Sequence, residues 1–197
     1  PHVVDCIRAS SIADRLLLVS FRHDLLQQAK ALMPELRIGG LTLGDLPSMM
    51  LPPPVVWQDL GLVNSMDEPL DEENCPALKK QVGMVSSVIS DKLTLIAALY
   101  PHMSVRQILA TLSAQADPAA YVRTLGFPVE LVSCEYHTAF ANPEVVNQLH
   151  DAGCKAAFWT VNTEDVVRSL VPLGPDCFVT DRPDVIREWI EKAQAET

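Results

Sequence analysis

The chain lacks most of the local signatures that would declare a function outright. Its five cysteines (Cys6, Cys75, Cys134, Cys154 and Cys177) form no C-x-x-C pair and are odd in number. Neither a disulfide framework nor a thiolate metal site is written into them. Reduced, mostly buried thiols are the reading that remains. With no signal peptide read at Pro1-His-Val-Val-Asp5, a cytoplasmic setting is the expectation. No apolar run approaches the ~20 residues that span a bilayer, so no membrane span is expected. Positive charge is scarce: 15 Lys and Arg against 25 Asp and Glu give a formal net charge of −10. That argues against a nucleic-acid or anionic-membrane surface, while leaving room for a local basic pocket. There is no G-x-S-x-G elbow, no glycine-rich phosphate loop and no internal repeat. An initiating methionine is missing too, which fits a fragment, a processed product or a trimmed piece of a longer chain.

What is present is a globular composition, 48% hydrophobic and 20% charged over 197 residues, enough for one domain with a sizeable core. Apolar, β-compatible runs predict strands over 16–21, 37–42, 129–134, 156–161 and 177–180. Helical spacing predicts helices between them. One runs from His23 to Met33 and is ended by Pro34. Another starts at Asp117-Pro118, and a third lies between Asn142-Pro143 and Gly153. A fourth follows Asn162, with Asp165 positioned for a capping box, and the last covers about 183–193. Strands alternating with helices mean a parallel sheet. Residues 45–116 break the pattern. Pro47, Pro52, Pro53 and Pro54 exclude a central strand, and Asp67, Glu68, Asp71, Glu72 and Glu73 form an acidic, solvated loop. Residues 77–99 then read as a helix that Gly83 and Ser86-Ser87 interrupt, and Ser104 with Gln107 opens another through a capping box.

Four pieces of this chain resemble the glycerophosphodiester phosphodiesterases, a family of phospholipase-C-like barrels. Trp159-Thr-Val-Asn162 followed by Thr180-Asp-Arg-Pro183 is similar to the family's C-terminal signature. His150-Asp-Ala-Gly153 resembles the helix end leading into it, and Leu18-Val-Ser-Phe21 with Pro34-Glu-Leu-Arg-Ile-Gly-Gly-Leu41 resembles an earlier strand–helix–strand unit. The resemblance covers residues 12–44 and 117–191. A full (β/α)₈ barrel uses ~250 residues and at least ~200. The expected fold is therefore α/β: a partial (β/α) TIM-type barrel, parallel strands with alternating helices, plus a mostly helical insertion. Residues 1–44 would be the first β-α-β part of the barrel half and 45–116 the insertion, which has no counterpart in the family pattern. Residues 117–197 would supply the C-terminal β/α units of the same barrel domain.

The resemblance implies hydrolysis of glycerophosphodiesters, a part of lipid metabolism, to an alcohol and glycerol phosphate. It also implies a divalent cation, Mg or Ca, held by carboxylates, with two histidines as acid and base. The family's His-Arg-Gly motif, its Glu-x-Asp pair on a strand and its later strand glutamate have no matching positions here. No catalytic residue or metal ligand is carried over, and this chain alone is expected to be inactive. What the matched positions supply is pocket wall. Trp159, at a strand end, is read either as core or as a surface for an apolar part of the substrate, and Phe21 as core or contact. Asn162 is counted with the wall, though helix capping is the simpler role for it and for Asp181. Glu135 and His137, two apart at a strand end, are the local candidates for independent acid–base or metal chemistry. Three readings follow: a barrel half whose reactive strands lie in an N-terminal half or come through a homo-oligomer; a non-catalytic truncated barrel serving binding or assembly; and an unrelated small α/β enzyme built on Glu135 and His137.

Overall fold

The computed structural model describes residues 2–44, 52–53, 56–78 and 87–196. They form two compact units, one of Pro1–Thr42 with Asp117–Thr197 and one of Leu43–Ala116.

The first unit holds α1 (His2–Ala9), β1 (Leu17–Ser20), α2 (His23–Leu32), β2 (Arg37–Thr42). After the second unit's α3 (Ser87–Leu99) and α4 (Val105–Gln115), it resumes with α5 (Pro118–Thr124), β3 (Leu131–Glu135), α6 (His137–Ala141), α7 (Val145–Asp151), β4 (Lys155–Trp159), α8 (Glu164–Leu170), β5 (Cys177–Phe178) and α9 (Ile186–Ala195). The five strands pair in parallel in chain order, β1-β2-β3-β4-β5. Strands alternating with helices in this order are the arrangement of a partial TIM-type barrel, as the sequence predicts.

Side-chain alternation sorts each strand into two faces. Val132 and Cys134 of β3, with Ala156 and Phe158 of β4, pack under Val145, Val146, Leu149, Val167, Leu170 and Ile186. Ile38 of β2 packs with Val4, Ile7, Leu26, Ala29 and Met33. The other face therefore carries Ser133, Glu135, Ala157 and Trp159. There a Cβ at Gly39 would stand 2.7 Å from Val19 Cγ1, so β2 has no room for a side chain at that point.

Several expected boundaries move. β3 starts at Leu131 rather than at 129, and β5 is two residues long, although Val161 N–H to Val179 O and Val179 N–H to Phe158 O carry the pairing on at 2.8 Å each. Asp117 caps α5, its carboxylate accepting from Ala120 N at 2.9 Å with Pro118 in the first turn. Gly153 ends α7 at φ 79°, a backbone state that costs glycine nothing.

In the second unit Trp57, Leu62, Val63, Leu93, Ile96, Ile108 and Leu112 are buried, and the Trp57 indole donates to Pro52 O at 2.7 Å. The capping box at Ser104 and Gln107 forms as predicted. The acidic residues 67, 68 and 71–73 are exposed, with Asp67 paired to Arg106 at 2.8 Å. The helix read over 77–99 is seen as Ser87–Leu99, and Gly83 and Ser86, where an interruption is predicted, lie outside the described residues, as do Pro47 and Pro54. Among the described residues no helix is long and apolar enough to cross a membrane.

Candidate functional site

Three of the sequence candidates lie at the C-terminal ends of strands, the side on which α/β barrels place their chemistry. Glu135 is the last residue of β3, Trp159 the last of β4, and Phe21 directly follows β1. Glu135 and Trp159 are register partners on adjacent strands, so their side chains leave the same face.

The Glu135 side chain is 7% exposed, and His137 meets both of its oxygens. Oε1 lies 2.8 Å from His137 Nδ1, and Oε2 accepts from His137 N at 3.0 Å. A carboxylate oxygen only accepts, so Nδ1 carries the shared proton. Among the described residues no lysine or arginine pairs with Glu135. Its charge is felt nearby. Burial pushes the Cys134 thiol up to about 12, with the Glu135 charge adding to the rise and a hydrogen bond with Thr42 opposing it. Burial, then the same charge, also raises Tyr136. The His137 ring is 40% exposed, stacks on Tyr136 at 4.2 Å and meets Phe140 edge-on at 5.8 Å. Among the described residues its Nε2 has no partner.

Trp159 spends its indole N–H on Ser133 O at 3.0 Å and presents its ring to Phe21, with centroids 5.3 Å apart and planes at 85°. β1 and β4 are three strand spacings apart, roughly 14 Å on a flat sheet. Side chains standing perpendicular to a flat sheet would stay that far apart, whereas curling the sheet brings their tips together. The edge contact is thus a sign of barrel curvature, and it gives the concave side an aromatic wall.

Asn162 does not cap α8. The helix begins after Thr163 with no side-chain cap bond, and Asp165 closes no capping box. Asn162 instead ties the loop after β4 to the loop after β5. Its Oδ1 accepts from Asp181 N at 2.9 Å and Thr180 Oγ1 at 3.1 Å, and its Nδ2 donates to Asp181 Oδ2 at 2.8 Å. Asp181 is likewise the partner of Asn162 rather than a cap. A tertiary partner with two donors and an acceptor outcompetes one local backbone N–H. The structure thus brings together Glu135 with His137, and Phe21 with Trp159, and fixes Asn162 to the neighbouring loop. Sequence reasoning passed over Tyr136 and Phe140, which flank His137. The aromatic pair at i and i+4 where α6 begins was the available signal.

The divalent cation implied by the family resemblance does not fit these residues. Among the described residues no group of three or more His, Cys, Asp or Glu is placed to hold a metal ion.

A sequence model described as the Glycerophosphoryl diester phosphodiesterase family matches residues 76–185. The match takes in the helices of 76–116, residues read from the sequence as having no family counterpart. A crystal structure from Silicibacter pomeroyi DSS-3, of a protein named as a candidate glycerophosphoryl diester phosphodiesterase, superposes with a TM-score of 0.53 at 20% identity. The overlap covers 98% of this chain and 43% of that one, so the chain spans less than half of that protein, and at this identity the likeness speaks for the fold. No curated protein matches. With more than half of its residues under the family model, the chain belongs to the glycerophosphoryl diester phosphodiesterase family.

Proposed function

We propose that the chain forms the substrate-enclosing part of a barrel that hydrolyses glycerophosphodiesters to an alcohol and glycerol phosphate. The observation that carries this is the Phe21–Trp159 edge contact across the C-terminal mouth of the curled sheet. An indole whose N–H is already spent offers only its apolar face, which suits the carbon skeleton of a substrate. Asn162 holds the adjoining rim in place. The family's His-Arg-Gly motif and its cation, Mg or Ca, come from chain outside these residues. On this reading 1–44 and 117–197 are one barrel domain, 45–116 is an insertion, and the setting is cytoplasmic lipid metabolism.

A second reading, a non-catalytic truncated barrel that acts in assembly, draws on the free edge of β1. A hollow of about 480 Å³ lies there, lined by Val3, Val4, Leu18, Val19, Leu25 and Leu32 among others. Val3, Val19, Leu25 and Leu32 are exposed, and a strand edge with no partner among the described residues, beside apolar residues, invites another strand, from an N-terminal barrel half or a second copy. Glycerophosphocholine turnover distinguishes the two. The barrel-half reading expects none from this chain alone and metal-dependent turnover once an N-terminal half bearing His-Arg-Gly is added. Turnover by the chain unaided would overturn that division of labour. Stable assembly with no turnover in any combination would leave the assembly reading standing.

A further inference from the structure

We propose that Glu135 and His137 are a working proton-transfer pair, with His137 Nε2 as the catalytic atom and Glu135 as its positioning residue. The proposal rests on the phosphodiesterase reading above and adds to it a residue pair that lies outside the motifs this chain lacks.

Four features converge. The pair stands at the C-terminal end of a central strand of the sheet. The carboxylate is buried, and both its oxygens are turned to one residue, the ring Nδ1 and the backbone N–H of His137. This sets the tautomer, because the proton on Nδ1 leaves the lone pair on Nε2. The ring is stacked on Tyr136, meets the edge of Phe140 and is held at Nδ1 by the carboxylate, so that lone pair points in a fixed direction. Last, Nε2 is the one polar atom of the pair without a partner among the described residues, and the ring is 40% exposed. A buried carboxylate orienting an imidazole whose far nitrogen is free is the base-and-orienter geometry that activates a hydroxyl.

The group to be activated is water, and the electrophile a phosphodiester. As the water oxygen bonds to phosphorus, one of its protons passes to Nε2. The imidazolium so formed lies against the Glu135 carboxylate, which stabilises it. The bond from phosphorus to the leaving alcohol oxygen breaks, and the alkoxide takes a proton from a second water. The hydroxide left behind recovers the proton from Nε2. The net change is consumption of one water, and the pair returns to its starting state.

The test has two arms. In the first, the chain carrying 15N-labelled histidine is examined by NMR and treated with diethyl pyrocarbonate, which acylates an available imidazole lone pair. The expected results are a proton on Nδ1 of His137 and faster acylation of His137 than of the exposed His102. In E135Q the amide can donate to Nδ1, so the proton should move to Nε2 and the acylation advantage be lost, whereas a merely structural Glu135 would leave the tautomer unchanged. A wild-type proton on Nε2, or acylation no faster than at His102, overturns the proposal without any variant having to fold. In the second, the longer enzyme with its N-terminal half is assayed on glycerophosphocholine. H137A should lower kcat by ~10²–10⁴-fold with little change in KM. Unchanged kcat in H137A with an active parent overturns the pair and spares the phosphodiesterase reading. An inactive parent overturns that reading, while the first arm still judges the pair.

Discussion

His23 makes the strand end that carries Phe21 sensitive to pH, and the structure fixes the sign. His23 is 7% exposed. Its Nε2 lies 3.0 Å from Leu41 O, which only accepts, so Nε2 is the protonated nitrogen. Nδ1 then accepts from the Tyr121 hydroxyl at 2.7 Å. The neutral ring is satisfied at both nitrogens and joins α2, β2 and α5, while its backbone N–H binds Phe21 O at 3.2 Å. Burial holds the imidazole below its ordinary value of 6.5, outweighing the Leu41 carbonyl and the Asp24 charge, which both push it up. Asp24 is itself tied to Arg22 at 2.7 Å, which blunts that opposing charge. In the unfolded chain His23 regains its ordinary affinity for protons, so below pH 6.5 the unfolded state binds more of them. The contribution of His23 to stability is therefore complete above pH 6.5 and is lost as pH falls towards the depressed folded value. Replacing His23 by leucine keeps the bulk and removes two hydrogen bonds of about 1 kcal/mol each, so at pH 8 the cost is about 2 kcal/mol. Urea unfolding at pH 8 and pH 5 measures both effects. The wild type should lose stability between the two, and H23L should lose less, because the group that gains a proton on unfolding is gone. Equal pH slopes in the two proteins, or no loss at pH 8, would refute the assignment of a buried neutral ring.

Three further outcomes are expected. Phe21→Leu and Trp159→Leu, combined in a double-mutant cycle, should couple by about 0.5–1.5 kcal/mol in urea unfolding, the worth of an aromatic edge contact; zero coupling would mean the mouth is not closed as described. Gly39→Ala should destabilise by about 1–3 kcal/mol, because its methyl meets the stiff Val19 side chain at 2.7 Å. The Asp176 carboxyl is raised by burial, but the Ala156 N–H and His150 outweigh this and leave it below 3.8. It should therefore stabilise the fold above the ordinary carboxylate range and stop doing so as pH falls through its lowered value. D176N should flatten the acid limb of the stability curve, and an unchanged limb would contradict the pairing with His150.

The parts of this molecule legible in the sequence are those set by near neighbours. The run Leu131-Val-Ser-Cys134 reads as a strand because β-compatible residues follow one another, and Asp117-Pro118 reads as a helix start because cap and proline act within one turn. Asn162 shows where local reasoning ends. Its capping geometry was available, yet the loop after β5 offered it three bonds from a distant part of the chain, and distance along the chain carries no signal of that. Phe21 and Trp159 were each visible as strand-end aromatics, but their contact depends on the curl of four strands, a property of the sheet as a whole.

The Glu135–His137 pair is the instructive middle case. The two-residue spacing led to the right partners by an argument about alternation along a strand. The strand in fact stops at Glu135, and His137 opens α6. Had the strand continued, the carboxylate and the imidazole would have stood side by side with their polar ends free to turn towards solvent. Because the chain turns into a helix instead, the backbone N–H of His137 is delivered to one carboxylate oxygen and its ring to the other. The bend converts two neighbours into one oriented unit with a single free nitrogen. What the sequence offered as proximity, the end of the strand turns into direction, and direction is what proton transfer requires.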